Sequence, residues 1–230
     1  MKQFNYIALL TAALSCVSPT MKTASTISET DTGCIIEGLI QYSNGNPVSN
    51  ASVILHDQQT LHIITLAKQK ALVRSNKTTT NINGIFQIDS VDTGKYLVEI
   101  NAHDTLGALL PAQVAPSDTL VQVNATLGRL GSILGRIDTG KITIQKNMVM
   151  YLPEINRTVS IDSSGYFIIT NLPAYNYHLH FAVGDSLISL ASDSIHIPVS
   201  GGDTTRIESL GSKSGSVIIN GRIVETPNAN

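Results

Sequence analysis

Few side chains in this sequence have the types and spacing that chemistry needs. In Tyr177-His178-Leu179-His180-Phe181, the two-residue period of an extended strand puts His178 and His180 on one face. Tyr177, Leu179 and Phe181 take the other. His196, between Ile195 and Ile197, points outward from a following strand by the same rule. If those strands pair, three imidazoles could gather around Zn2+ or Cu2+. The same pattern also describes a solvated polar face, so no metal is assigned from it.

Other catalytic signatures are incomplete. Gly135-Arg136-Ile137-Asp138-Thr139-Gly140-Lys141-Ile142 follows the spacing of a phosphate-binding loop up to the lysine. Ile142 then stands where a Ser or Thr should reach Mg2+, and the residues after it read as a strand where a helix N-terminus is required. Neither G-x-S-x-G nor H-E-x-x-H occurs. The sequence therefore leads to the expectation of a non-enzymatic protein with no cofactor.

Sugar recognition is the alternative that the aromatic residues allow. Saccharide rings stack on exposed aromatic faces, but the chain has no Trp, 7 Tyr and 4 Phe. Tyr96, Tyr177, Phe86 and Phe167 read as internal. Tyr175 shares the parity of Tyr177 and so can be buried too, which leaves Tyr42, Tyr151 and Tyr166 as candidate stacking platforms. Ordinary cross-strand packing is the competing reading.

The N-terminus reads as an address. Lys2 supplies a positive start and Tyr6 to Leu14 an apolar run too short to span a bilayer. Ala13-Leu14-Ser15-Cys16 resembles the lipobox of bacterial lipoproteins, although the usual Leu stands one place nearer the cysteine. The resemblance implies that residues 1–15 are removed and that Cys16 is lipidated, anchoring the protein to a membrane. Val17 is not acidic, which implies the outer membrane. An ordinary signal peptide with an incidental cysteine remains the alternative, in which case Cys16 could pair with Cys34. Otherwise Cys34, followed by Ile35-Ile36, reads as a small core residue. Residues 16–32 are Ser/Thr-rich and read as a tether.

The elements that would position any site are strands. The chain is 230 residues long, 42% hydrophobic and only 14% charged, with a formal net charge of −2. Such a balance offers no basic footprint for nucleic acid. Short runs rich in Val, Ile, Tyr and Thr recur: 34–42, 51–56, 84–90, 95–101, 119–127, 141–151, 164–170, 175–183, 195–199 and 204–210. Residues 61–74 are ambiguous between a helical turn and a long hairpin. Residues 211–230 read as a small hairpin, or as a strand added to the preceding sheet.

An internal repeat orders these strands. Asn83-Gly84-Ile85-Phe86-Gln87-Ile88-Asp89-Ser90-Val91 and Ser164-Gly165-Tyr166-Phe167-Ile168-Ile169-Thr170-Asn171-Leu172 share Gly, Phe, Ile and a final aliphatic at equal offsets. Tyr96 and Tyr177 follow their glycines by the same interval. Asn81 and Asp162, three residues before each Gly, are placed to cap the turn. Phe86 and Ile88, like Phe167 and Ile169, should face a core.

Asn46-Pro47-Val48-Ser49-Asn50-Ala51-Ser52-Val53, Thr80-Asn81-Ile82-Asn83-Gly84-Ile85-Phe86 and Val91-Asp92-Thr93-Gly94-Lys95-Tyr96 together resemble the carboxypeptidase regulatory-like domain. That resemblance implies a transthyretin-like β-sandwich. The expectation is thus an all-β chain with two tandem antiparallel, Greek-key sandwiches, at 33–127 and, as a divergent copy, 128–210. The expected role is non-catalytic display or binding at the cell envelope. A starch-binding-like module for polysaccharide is the first alternative, and an accessory to an envelope peptidase or transporter the second.

Overall fold

The computed structural model describes residues 33–58, 76–137, 148–183, 186–187, 195–210 and 223–226. They belong to one compact unit, Thr32–Asn230. The first half comprises β1 (Cys34–Gln41), β2 (Ser52–Asp57), β3 (Asn76–Thr79), β4 (Ile85–Val91), β5 (Gly94–Ala102), β6 (Leu106–Val114), β7 (Leu120–Gln122), β8 (Ala125–Thr126) and β9 (Gly128–Arg129). The second comprises β10 (Gly131–Ile137), β11 (Met148–Leu152), β12 (Arg157–Ser160), β13 (Tyr166–Leu172), β14 (Tyr175–Val183), β15 (Ser186–Leu187), β16 (Ile195–Val199), β17 (Thr204–Leu210) and β18 (Ile223–Thr226). A 3-10 turn, Pro153–Ile155, follows β11.

Both halves are wired alike. In the first, β4 and β7 flank β1 in one sheet, facing a second sheet ordered β3-β2-β5-β6-β9. In the second, β13 and β17 flank β10, with β18 beyond β17, and the facing sheet runs β12-β11-β14 with β15 and β16 also on β14. Most ladders are antiparallel. However, β1 runs parallel to β7 and β8, and β10 parallel to β17. The chain is therefore an all-β sandwich fold, with one parallel crossover in each half.

The repeat is visible at the level of single atoms. Asn81 Oδ1 accepts the main-chain N–H of Asn83 and Ile85, and Asp162 Oδ1 accepts those of Ser164 and Tyr166, all at 2.8–3.0 Å. Gly84 and Gly165 complete these turns at φ 74° and 86°, where a Cβ would strain the backbone. Strands β4 and β13 then share one burial pattern. Phe86 and Ile88 point inward, as do Phe167 and Ile169, followed by two exposed residues and a buried aliphatic. The broken alternation has a cause: Ser90 (φ 56°) and Asn171 (φ 57°) form bulges that slip the register against β1 and β10. The bulge returns Val91 and Leu172 to the interior. Across the next turn, Tyr96 Oη donates to Asp92 O and Tyr177 Oη to Pro173 O, each at 2.9 Å.

A further shared element went unread in the sequence: Ile36-x-Gly38-x-Ile40 in β1 and Ile133-x-Gly135-x-Ile137 in β10. Gly38 pairs with Phe86 and Gly135 with Phe167, and each phenyl ring lies where a Cβ on the glycine would stand. Cys34 is buried beside Ile36 in the first core, as expected.

Strand β6 was also missed, because Pro111 removes an N–H from the middle of it. The fold tolerates this because β9 meets β6 only at Leu106 and Gly107, leaving the Pro111 side unpaired by β9. β18 pairs with β17, so residues 223–226 are an added strand. Residues 61–74 lie outside the described residues.

The two glycines give a graded prediction. The three atoms nearest to a Cβ at Gly135 all belong to the Phe167 ring, whereas the nearest at Gly38 is the main-chain carbonyl oxygen of Val123, which cannot rotate away. Urea denaturation should show both variants destabilised, Gly135→Ala by about 1–3 kcal/mol and Gly38→Ala by more. Phe167→Leu should partly rescue the former; equal losses, or no rescue, would contradict the assignment.

Candidate functional site

The candidate site lies where the halves meet, and β5 creates it. Val98 and Ile100 face the first core, while Leu97 joins the second half's core together with Leu109 of β6. Strand β5 is thus covered on both faces. Glu99 lies on the same face as Leu97 and is 2% exposed.

A carboxylate so deeply buried needs donors. His56 Nε2 donates to Glu99 Oε2 at 2.8 Å from β2, and Asn101 Nδ2 to Oε1 at 2.9 Å. From the second half, Arg157 Nη2 donates to Oε1 at 2.7 Å. The Nη1 of the same guanidinium donates to the carbonyls of Thr170 and Asn171, at the β13 bulge. Burial alone would raise the Glu99 pKa. The His56 hydrogen bond, the Arg157 charge and the Asn101 bond outweigh it and hold the carboxyl below its ordinary value. Tyr177, whose hydroxyl is closed in by burial and by the nearby Glu99 charge, is pushed far above its usual range.

A second carboxylate, Glu154, sits in the 3-10 turn that Pro153 starts and the left-handed Asn156 ends. Its Oε1 accepts both the main-chain N–H of His178 at 2.8 Å and His178 Nδ1 at 2.5 Å. Its main-chain carbonyl accepts Gln58 Nε2 from the first half at 3.1 Å. Its Oε2 is buried and has no hydrogen-bond partner among the described residues.

The three histidines are only partly united. β14 and β16 do pair, His178 stands opposite His196, and their rings stack edge-on with centroids 4.2 Å apart. His180 stands opposite Tyr151 on β11 instead. Burial, and then the charge of His178, lower its pKa. Among the described residues no three His, Cys, Asp or Glu side chains form a group that could hold a metal ion, so the cluster of His178, His180 and His196 does not assemble.

The tyrosines divide as well. Tyr166 is 46% exposed on the outer face of β13, with the Arg136 guanidinium 5.0 Å above its ring. Tyr42 is half-buried against the first core. Tyr175 is also half-buried, edge-on to Tyr177. Tyr151 must be withdrawn as a stacking platform. It is 2% exposed, and its hydroxyl donates to Asn156 Oδ1 in the turn that follows its strand. Cys16 lies outside the described residues. The Cys34 thiol contacts the carbonyl of Ile35, and burial raises its pKa, which leaves little thiolate for nucleophilic chemistry.

No family model matches the chain, and no curated protein does. Solved structures do show likeness. The major pilin subunit BcpA of Bacillus cereus is 15% identical, with a TM-score of 0.30 over 42% of this chain and 30% of the pilin. A streptococcal ancillary pilin is 13% identical, with a TM-score of 0.33 over 87% of this chain and 64% of its own. A candidate carbohydrate-binding protein of Pseudomonas aeruginosa is 16% identical, with a TM-score of 0.29 over 41% and 89%. The chain spans under a third of the Bacillus pilin and less than two thirds of the streptococcal one. These likenesses are too distant to assign a role.

Core and surface tyrosines should separate by stability. Tyr151→Ala should lose about 3–5 kcal/mol in chemical denaturation, as for other buried aromatics. Tyr166→Ala should stay within about 1 kcal/mol of the parent. Zinc titration by calorimetry should give no micromolar binding heat; a saturable heat lost in His196→Ala would restore the metal site.

Proposed function

We propose that this chain is a lipid-anchored, non-catalytic module of the bacterial cell envelope. Cys16 carries the anchor, at the outer membrane. Residues 33–127 and 128–210 act as two carboxypeptidase regulatory-like sandwiches for structural support or binding. The observation that carries the non-catalytic part is where the reactive side chains go. The buried Glu99 carboxylate is taken up by His56 and Asn101 of its own half and by Arg157 of the other, and the buried Glu154 carboxylate by His178. What faces outward at equivalent places of the repeat is apolar: Ile85 is 45% exposed and Tyr166 46%, with Ile168 beside the latter at 52%. Such side chains suit contact with another surface.

Polysaccharide binding is the second reading, and Tyr166 is the observation that favours it. One face of its ring is backed by Arg136, which stiffens the platform for stacking a sugar on the other.

Membrane fractionation tests the anchor. Cys16→Ser should move the protein from the membrane pellet to the soluble fraction, and unchanged retention would refute lipidation. Affinity electrophoresis in gels containing envelope or plant polysaccharides tests the sugar reading. Retardation should occur and should be lost in Tyr166→Ala; no retardation in any gel would leave a structural or protein-binding role.

A further inference from the structure

The joint between the halves is unlike a linker contact. Interfaces between domains in one chain usually permit relative motion. Here a single carboxylate of the first half, 2% exposed, is held jointly by His56 of its own half and Arg157 of the other. Arg157 in turn is fixed by two carbonyls at the β13 bulge. Leu97 and Leu109 extend the second core into the first half around this point. Pulling the halves apart would break the Glu99–Arg157 pair and leave two leucines in water. Each of those losses is costly.

We infer that Glu99 is an acid-sensitive clasp: while its carboxylate is charged the two sandwiches unfold as one cooperative body, and its protonation lets each unfold separately. The groups facing Glu99 are His56 from β2, Asn101 from β5, Arg157 from β12 and Tyr177 from β14, with Glu154 of the 3-10 turn acting on Tyr177 beside it. Three of these donate to Glu99 or attract its charge; Tyr177 stays neutral. The folded-state value of Glu99 is depressed, so its contribution is complete above the ordinary glutamate value of 4.5 and lost as pH falls below it. The device therefore holds at neutral pH and opens only in acid.

Scanning calorimetry and native-state hydrogen exchange on the full chain test this. At pH 7 the wild type should give one transition, with the amides of β1 and β10 exchanging through openings of equal free energy. Glu99→Gln, which keeps the shape and removes the charge, should give two transitions at pH 7 and separate the two sets of amides by about tenfold or more. Arg157→Met should do the same from the other side, which covers the case in which the first variant does not fold. Below the Glu99 titration the wild type should behave as the variants do, and Glu99→Gln should lose that pH dependence. Two transitions in the wild type at pH 7 would overturn the proposal. So would a single transition in whichever variant folds, or a separation of less than tenfold.

Discussion

A charge buried between the two halves of this β-sandwich fold is the constraint on which much of this structure depends. Glu99 sits mid-strand in β5, whose one face packs on the first core and whose other face packs on the second half. With water excluded, the carboxylate needs hydrogen-bond donors from both sides, and the fold supplies them at 2.7–2.9 Å. The consequence spreads outward. Arg157 must begin β12 at a point where one end of its guanidinium reaches Glu99 and the other reaches the carbonyls of Thr170 and Asn171. The bulge that returns Leu172 to its core thus gains a second use, presenting carbonyls to the guanidinium that bridges the halves. In the first half the equivalent bulge at Ser90 has no such partner among the hydrogen bonds described, and β3 there begins with Asn76 where β12 begins with Arg157.

What could be read from sequence is what operates over short separations. The turn caps Asn81 and Asp162 bond to residues two and four places on. Phe86, Ile88, Phe167 and Ile169 alternate within one strand. The joint was not readable, because its partners are 43 and 58 residues from Glu99 in sequence and only the fold brings them together. The misjudged Tyr151 has a related cause. Parity says which face of β11 a residue takes, and does not say that both faces of that strand end are buried. Pro111 hid β6 for the opposite reason: a local rule against strands was overridden by an unpaired position on the ladder.

The repeat also explains why His178, His180 and His196 do not come together as one cluster. At equal offsets from the paired tyrosines Tyr96 and Tyr177, the first copy has Leu97 and Glu99, and the second has His178 and His180. These are the same positions on the same face of the corresponding strand. In the first copy that face meets the neighbouring half, with an apolar side chain for its core and a carboxylate for its arginine. In the second copy neither is present. His178 is tied to Glu154, which also holds the His178 main-chain N–H, and its ring leans on His196. His180 stands opposite Tyr151, and burial lowers its pKa. A second joint of the first kind cannot form on those side chains, since His178, bonded to Glu154, does not fill a leucine site and His180 brings no carboxylate for a guanidinium. The two copies keep one topology, one set of turns and one glycine–phenylalanine packing, and they differ where one half has to grip the other.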